Sequence, residues 1–213
     1  MLYKSRRVYL PLADSSICYY YGMFSELSGP ADEAAQRLLG ALLVRELDGH
    51  RMVARIVETE AYNQTDAASH SYRGRTPRNS IMFGPAGFLY VYFTYGMHYC
   101  MNVVCGPDGF GEAALVRAVE PVEGEEYMSL NRGGRTGVDM SNGPAKVCQA
   151  FKVDRSLNGH DLRELPLQLV LQPPLAPDEI VQTTRVGITR AVDQPWRFYI
   201  RGNSYAKRAV SST

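Results

Sequence analysis

The pattern of hydrophobic and polar positions predicts short strands that are joined by local hairpins. Residues 41–47 are mainly apolar, Asp48-Gly49 is a typical tight-turn dipeptide, and residues 51–62 return as the partner strand. Similar β-rich segments recur further along the chain, at residues 88–95, 98–105, 113–119, 167–171 and 196–201. Because neighbouring strands follow one another through short turns, we expect a mostly antiparallel sheet.

Two helices are predicted beside these strands. Pro30 and the acids Asp32 and Glu33 suit the first turn of a helix, where proline is tolerated and negative charge meets the positive end of the dipole. An apolar stripe with helical spacing follows and stops at Gly40. A second helix is expected after Pro144.

The organisation of the chain indicates one domain. No repeat, low-complexity tract or linker divides the 213 residues, and strands do not alternate regularly with helices. We therefore expect an α+β fold in which residues 23–213 form a single domain, preceded by a loosely attached segment, residues 1–22. The 45% hydrophobic and 21% charged residues are sufficient for a sizeable core.

Composition excludes several classes of protein. Lys and Arg total 23 against 22 Asp and Glu, so the formal net charge of +1 excludes a histone-like use of overall positive charge. The four cysteines form no Cys-x-x-Cys motif and are too few for a disulfide scaffold, which favours a reduced, intracellular protein. No apolar stretch approaches the roughly 20 residues of a membrane-spanning helix, and Asp14 interrupts any signal-peptide core.

Charge is distributed unevenly along the chain. Residues 67–107 contain no Asp or Glu, yet they carry three arginines, two histidines and eight aromatic side chains. A second acid-free stretch follows Asp193. Phosphates bind cations that lack nearby carboxylates, and exposed bases stack on aromatic rings, so nucleic acid binding is one interpretation. A buried, tyrosine-rich sheet beside an arginine loop explains the same composition.

A tyrosine at a hairpin tip is difficult to explain by core packing. Tyr90 and Tyr92 share one strand face, whereas Tyr95 has the opposite parity and lies beside Gly96 at the predicted turn, next to Met97. A large aromatic side chain at a turn has little core to pack against. It is suited to act as a wedge between stacked bases.

Charged residues interrupt two otherwise apolar strands. If the strand over residues 51–62 is regular, Glu58, Glu60 and Tyr62 share a face with three candidate core residues, Met52, Ala54 and Ile56. A carboxylate there is either paired with an arginine at the edge of the sheet or held in a pocket that tunes its acidity. Arg117 needs a partner if it is buried, and Glu58 or Glu60 is the obvious candidate.

Motifs for metal, nucleotide or covalent chemistry are missing from the sequence. His98, Cys100 and Asn102 alternate on one face and Cys105 follows, but this spacing is not typical of zinc ligands. There is no HExxH, zinc-deaminase, GxxxxGK[ST], GxSxG or dinucleotide-binding glycine motif.

Several blocks together closely resemble one protein family. They are RIVETEAY at 55–62, HS at 70–71, TPRN at 76–79, LYVY at 89–92, YGM at 95–97, CMN at 100–102, VRAVEP at 116–121, NGPAK at 142–146 and WRFYIRG at 196–202. In this order they are similar to the alkyladenine (3-methyladenine) DNA glycosylase family, over about Phe24 to Tyr205. Residues 1–22 have no counterpart in the family pattern.

The resemblance implies a monofunctional base-excision enzyme that flips a damaged purine out of duplex DNA. Glu60 would be the general base that activates water for attack on the sugar C1′ carbon, and Arg117 and the carbonyl of Val186 would help to hold that water. No lysine lies near Glu60 in the sequence, the nearest preceding one being Lys4, which disfavours a Schiff-base mechanism. This chemistry requires no metal or organic cofactor.

The resemblance also implies roles in binding the base and the DNA. The base pocket would consist of four side chains: Tyr62, His70, Tyr92 and Asn102. Tyr62 and Tyr92 would enclose the base, and Asn102 would reject the 2-amino group of guanine. The DNA-intercalating group would be Tyr95 with Met97 and Met82. Contacts to the DNA backbone would come from Arg75, Thr76, Arg78 and Lys146.

The implied fold is a curved, mostly antiparallel sheet with surrounding helices in one domain. The implied partner is double-stranded DNA that contains damaged purines, with no membrane, and the protein is expected to be a monomer. Its expected location is the cytoplasm, at the nucleoid, in a bacterium, or the nucleus in a eukaryote.

Three classes of function remain at this point. The first is a glycosylase that acts on alkylated or deaminated purines. The second is a non-catalytic binder of damaged or distorted DNA, although a binder gains nothing from the pair Glu60 and Arg117. The third is a metal-dependent hydrolase built on four side chains: Glu58, Glu60, His70 and His98.

Overall fold

The computed structural model of the protein describes residues 24–206, with eight strands and three α-helices in that part of the chain. The strands are β1 (Leu42–Leu47), β2 (His50–Tyr62), β3 (Leu89–Thr94), β4 (His98–Val104), β5 (Ala113–Glu123), β6 (Leu167–Val170), β7 (Ile180–Thr183) and β8 (Arg197–Ile200). The helices are α1 (Ala31–Arg37), α2 (Glu125–Asn131) and α3 (Pro144–Ala150). The predicted N-terminal segment, residues 1–22, lies outside the described residues, as do the last cations of the second acid-free stretch, Lys207 and Arg208.

All strand pairs are antiparallel, and the main path through the sheet is β3-β4-β5-β2-β1-β6. Strand β8 pairs with β2 and with β7, so it joins the sheet beside the second half of β2. The expected α+β fold with a mostly antiparallel sheet is confirmed. None of the helices in the described part is long and apolar enough to cross a membrane.

Local sequence accounts for the predicted hairpin between β1 and β2. Asp48 and Gly49 both have positive φ, 51° and 78°, as a two-residue turn that matches the twist of the strands requires. Leu47 pairs with His50 directly across this turn. The turn dipeptide therefore fixes the register with which β2 enters the sheet.

Two elements were not predicted from the sequence, α2 and β7. Helix α2 buries only Met128, so it has no apolar stripe with helical spacing. Strand β7 has four residues and none of them is fully buried. Strand β5 is also longer than expected, because it continues beyond the apolar segment to the exposed Glu123.

One large core lies between the sheet and helices α1 and α3. The small residues Ala34 and Ala35 and the larger Leu38 of the α1 region are completely buried in it, together with Val147 and Cys148 of α3. Small side chains allow α1 to approach β2 closely. Because one face of β2 packs against α1, the side chains on the other face of this strand point away from the core.

The faces of β2 differ from the expectation for a regular strand. Met52, Ala54 and Ile56 belong to the core as predicted, but the pairing with β5 shifts on both sides of Glu58. From Val57 onwards the odd-numbered residues Val57 and Ala61 belong to the core. The carboxylates of Glu58 and Glu60 therefore lie on the opposite face. The predicted common face is therefore wrong, because a β-bulge reverses the alternation of side chains.

Thr59 links β2 to α1 just after the β-bulge at Val57. Its buried hydroxyl donates a hydrogen bond of 2.8 Å to the carbonyl of Ala35. We expect Thr59→Val to lower the free energy of unfolding by about 1–2 kcal/mol, because a buried acceptor loses its donor. Urea unfolding of wild type and variant measures this difference. The exposed Thr136→Val is the control, and an equal effect of both variants would contradict the assigned role of Thr59.

Candidate active site

A cavity of about 340 Å³ opens where strands β2 to β5 meet the segment that follows β7. Its volume lies in the range of roughly 300–1,000 Å³ that is typical of small-molecule sites. Among its lining residues are many that the sequence singled out: Glu60, Tyr62, His70, Met82, Tyr92, Tyr95, Asn102, Arg117 and Val186. The fold thus brings together side chains from distant parts of the chain.

Glu60 is completely buried in the wall of this cavity. Its Oε2 atom accepts a hydrogen bond from the Tyr62 hydroxyl at 2.8 Å and lies 3.2 Å from Arg117 Nη1. Its Oε1 atom accepts a hydrogen bond of 2.8 Å from the backbone N–H of Val186. The backbone of Glu60 pairs with β5 on one side and with β8 on the other, so the carboxylate has a fixed position.

Glu58 is the second buried carboxylate, two residues before Glu60 on the same strand. Its Oε1 atom lies 3.0 Å from Arg117 Nε and 3.1 Å from Arg197 Nη1. The predicted pairing of Arg117 is confirmed, since this arginine bridges both carboxylates. Two buried negative charges are thereby balanced by two buried positive charges.

The protonation states in this cluster follow from burial and from the neighbouring charges. Burial raises the pKa of Tyr62, and the adjacent Glu60 carboxylate raises it further, so the hydroxyl keeps its proton and donates. Burial alone lowers the pKa of Arg117, but the attraction of Glu60 and Glu58 outweighs burial and raises it. Arg117 therefore stays cationic.

Aromatic rings and a histidine form another wall of the cavity. The rings of Tyr90 and Tyr92 are stacked with centroids 5.7 Å apart, and His70 meets Tyr92 edge-on at 4.6 Å. The Nδ1 atom of His70 lies 3.0 Å from the Tyr90 hydroxyl. Burial, and then the positive charge of Arg78, lower the pKa of His70, which favours a neutral imidazole. Asn102 is buried beside them and donates to the Tyr90 carbonyl at 3.3 Å.

The β3–β4 hairpin tip projects from the rim of the cavity. Tyr95 is 81% exposed and Met97 is 68% exposed, as expected for side chains without a core to pack against. Tyr95 and Gly96 both have positive φ, 51° and 66°. This conformation is unfavourable for a tyrosine, and such backbone strain is concentrated at functional sites.

Met82 does not lie where the sequence analysis placed it. Its side chain is only 2% exposed and packs in a small cluster with Phe83 and Tyr90. A methionine buried in this cluster forms part of the cavity wall and cannot insert between base pairs. The expectation that Met82 belongs to the intercalating group is therefore wrong.

The expected contacts to the DNA backbone lie in two places. Arg75, Thr76 and Arg78 are exposed in the loop that follows His70, beside the cavity. Lys146 is on the first turn of α3, and its Nζ atom lies 2.6 Å from the Asp139 carboxylate. The loop residues are therefore open to solvent, whereas the lysine already has an ionic partner.

A buried ion pair that the sequence did not reveal joins two loops around the site. Arg185 and Asp66 have completely buried side chains, and the guanidinium binds both carboxylate oxygens. Arg185 also donates to the Ala61 carbonyl on β2 at 2.9 Å. The two partners are 119 positions apart in the sequence, and neither belongs to a recognisable motif.

The same arginine supports residues that line the cavity. Its guanidinium lies over the ring of Tyr62, 4.6 Å from the centroid, and over that of Trp196 at 5.3 Å. Val186, the next residue in the chain, donates its N–H to Glu60. Arg185 therefore fixes both an aromatic wall and a hydrogen-bond donor to the carboxylate.

The residues suggested for metal-dependent hydrolysis are not brought together. Among the described residues, no group of three or more His, Cys, Asp or Glu side chains is placed to hold a metal ion. His98 lines a different cavity from Glu60. The cysteines of the described part, Cys100, Cys105 and Cys148, are free and buried.

Known proteins match nearly the whole described part of the chain. The family model of methylpurine-DNA glycosylase (MPG) matches residues 25–204. Proteins named "Putative 3-methyladenine DNA glycosylase" from Carboxydothermus hydrogenoformans and Methanoculleus marisnigri are 50% and 51% identical to this chain, over 82% of it and 92% of each relative. A protein of the same name from Francisella tularensis is 46% identical, over 83% of this chain and 93% of the relative. The chain therefore belongs to the methylpurine-DNA glycosylase family, a family of enzymes that hydrolyse N-glycosyl bonds.

Proposed function

We propose that this protein removes alkylated or deaminated purines from double-stranded DNA, acting as a monomer that extrudes the damaged nucleotide into the cavity beside Glu60. Glu60 activates a water molecule, which attacks the C1′ carbon of the sugar. The observation that carries this proposal is the fully buried Glu60 carboxylate, held by three partners in the wall of an aromatic cavity.

The hydrogen bonds of Glu60 leave room for a water molecule. An ionised carboxylate has about four acceptor positions, two on each oxygen. Among the described residues, Tyr62 and Arg117 occupy Oε2, and the Val186 N–H is the one partner of Oε1. The second position on Oε1 is suited to accept a proton from water, and the carbonyl of Val186 would orient the same water.

The reaction needs only groups that the chain supplies. The water oxygen bonds to C1′ as the bond between C1′ and the purine nitrogen breaks, and the bonding electrons leave with the base. Glu60 takes the proton of the water and its charge stabilises the oxocarbenium-like transition state. An N-alkylated purine carries a positive charge, so it departs as a neutral molecule. A deaminated purine such as hypoxanthine is neutral in the DNA, so it departs as an anion and takes up a proton from solvent water.

The cavity walls suit a flat purine. Tyr62 and Tyr92 provide aromatic surfaces, and the hydrogen bond to Glu60 restricts the Tyr62 ring. A neutral His70 closes the pocket without repelling a cationic base. Asn102 at the edge discriminates against the 2-amino group of guanine.

Tyr95 would fill the space that the extruded nucleotide leaves in the stack, with Met97 beside it. Their exposure without any packing role is what supports this assignment. The backbone contacts proposed for Arg75, Thr76 and Arg78 place the DNA strand along the acid-free loop next to the cavity.

We expect Glu60→Gln to reduce the single-turnover rate of base release by at least about 100-fold, because an amide cannot take the proton of the water. Release of hypoxanthine and of 3-methyladenine from defined duplexes measures this rate. Binding to a duplex with an abasic-site analogue should stay within a few-fold of wild type.

The exposed Glu126→Gln is the matched control and should release both bases at the wild-type rate. Wild-type protein that binds damaged DNA but releases neither base would instead support the non-catalytic binder. Activity that is lost in EDTA would support the metal-dependent alternative.

Tyr95→Ser should weaken binding to damaged duplex by about 1–3 kcal/mol, the scale of one stacking contact. Its melting temperature should not fall, because the side chain is 81% exposed and serine tolerates the positive φ no worse than tyrosine does. Fluorescence anisotropy with an abasic-analogue duplex measures the affinity, and Val122→Ser, which is exposed on β5, is the control. A binding curve that overlays wild type would exclude the wedge.

Arg78→Gln should raise the pKa of His70, because one of the two causes that lower it is removed. Burial remains, so the pKa should still lie below the ordinary value of about 6.5. NMR titration of the imidazole gives the value directly. Arg75→Gln removes a charge of the same loop and should leave the titration unchanged; equal shifts for both variants would mean that the loop acts only through its total charge.

A further inference from the structure

Two of the partners that hold the Glu60 carboxylate depend on one further side chain. Among the described residues the carboxylate has three polar partners: Tyr62, Val186 and Arg117. Tyr62 belongs to β2, whereas Val186 belongs to the segment that follows β7. Arg185 precedes Val186 directly in the chain and also lies over the ring of Tyr62. One arginine therefore supports two hydrogen-bond donors that reach Glu60 from different segments.

Arg185 acts from outside the cavity. Its side chain is completely buried and does not line the cavity, whereas Tyr62 does. Its guanidinium lies 4.6 Å from the centroid of the Tyr62 ring. A ring that packs against a planar cation cannot tilt freely, so its hydroxyl stays directed at Glu60. Arg185 can influence the reaction only through such neighbours.

Asp66 fixes the guanidinium and reaches a further part of the wall. The guanidinium of Arg185 binds both carboxylate oxygens of Asp66, whose side chain is also completely buried. A forked contact of this kind fixes the orientation of the arginine as well as its position. The Oδ1 atom of Asp66 also accepts a hydrogen bond of 3.0 Å from the N–H of Ala68, which lines the cavity. The pair is therefore joined to Tyr62, Ala68 and Val186.

A contribution to stability does not by itself explain this pair. Apolar side chains of similar volume often stabilise a protein as well as a buried ion pair does. The guanidinium, however, also donates to the carbonyls of Ala61 at 2.9 Å and Ala191 at 3.3 Å. Ala61 is adjacent to Glu60 on β2, and Ala191 lies beyond Val186 in the segment after β7. Directional donors of this kind align two segments, which apolar side chains cannot do.

We propose that Arg185 and Asp66 are positioning residues of the reaction centre, which keep the Tyr62 hydroxyl and the Val186 N–H directed at the Glu60 carboxylate. Loss of the pair should slow base release more than it weakens DNA binding, because small errors in the position of a reacting group lower the rate strongly. The proposal rests on the proposed function, since the rate in question is that of base release.

A double variant separates positioning from stability. Arg185→Met leaves the Asp66 charge buried without its partner and should lower the melting temperature. Adding Asp66→Asn removes this charge, so the double variant should regain most of the lost stability. It does not regain the forked contact or the cation over Tyr62. Its single-turnover release of hypoxanthine and of 3-methyladenine should therefore stay roughly 10- to 100-fold slower than that of wild type, with nearly unchanged affinity for an abasic-analogue duplex.

The pair of Arg163 and Asp161 provides the matched control. Its Nε and Oδ1 atoms are 2.8 Å apart, and neither residue lines the cavity. Arg163→Met with Asp161→Asn should release both bases at the wild-type rate. Regained stability together with a wild-type rate in the first double variant would overturn the proposal. Arg197, which donates to the Thr184 carbonyl at 2.8 Å, would then hold the segment without help from the pair.

Two further measurements complete the test. Arg185→Lys keeps the charge balance but lacks the planar fork. It should fold like wild type and still release base at least roughly tenfold more slowly; a wild-type rate would overturn the proposal.

Hydrogen exchange of the Val186 amide, followed by NMR, requires no catalytic activity. Exchange should be roughly tenfold faster in the double variant at Arg185 and Asp66 than in wild type, and unchanged in the control pair. Unchanged exchange in that double variant would overturn the proposal. Wild-type protein that releases no base would instead contradict the proposed function, and exchange at Val186 would still test the positioning.

Discussion

A paired irregularity between β2 and β5 determines which side of the sheet becomes the candidate active site. Around Glu58 the strand pairing leaves out one residue of each strand, Val57 on β2 before Glu58 and Arg117 on β5 after it. The extra residue Val57 turns the carboxylates of β2 away from the core, towards the face on which Leu115 and Arg117 of β5 line the cavity. Without the extra residue Val57, two carboxylates would face an apolar core, at a cost of several kcal/mol each. The bulge therefore turns Glu58 and Glu60 to the side of the sheet on which Arg117 and Arg197 neutralise their charges.

The charge balance of this cluster explains why it can be buried. Arg117 bridges Glu58 and Glu60, and Arg197 gives Glu58 a second partner. Glu58 can be understood as the residue that holds Arg117 in place, so that Glu60 keeps a cationic neighbour without using all its acceptor positions. Buried ion pairs of this kind contribute little net stability compared with apolar packing, but removing one partner leaves the other charge buried and uncompensated. Such clusters are retained where orientation matters more than stability, which fits the role of general base proposed for Glu60.

The sequence predicts the local features well and the non-local ones poorly. The Asp48-Gly49 hairpin and the exposed Tyr95 follow from turn chemistry within a few residues. The partner of Arg117 could be inferred because a buried cation needs a carboxylate. The reversal of faces at Val57 could not, since a bulge has no signature in a pattern of period two and shows only in the pairing with β5. Contacts between distant residues, such as Arg185 with Asp66, depend on the whole topology.

The segment after β7 connects the chemistry of the site to its electrostatics. Val186 donates its N–H to Glu60, and the neighbouring Arg185 binds Asp66 and the Ala61 carbonyl of β2, which holds this segment in place. The backbone that carries the N–H donor to Glu60 Oε1 is therefore fixed by an ion pair that lies outside the proposed reaction centre. A fixed donor holds the carboxylate in one orientation before a substrate enters, which is what the role proposed for Glu60 requires.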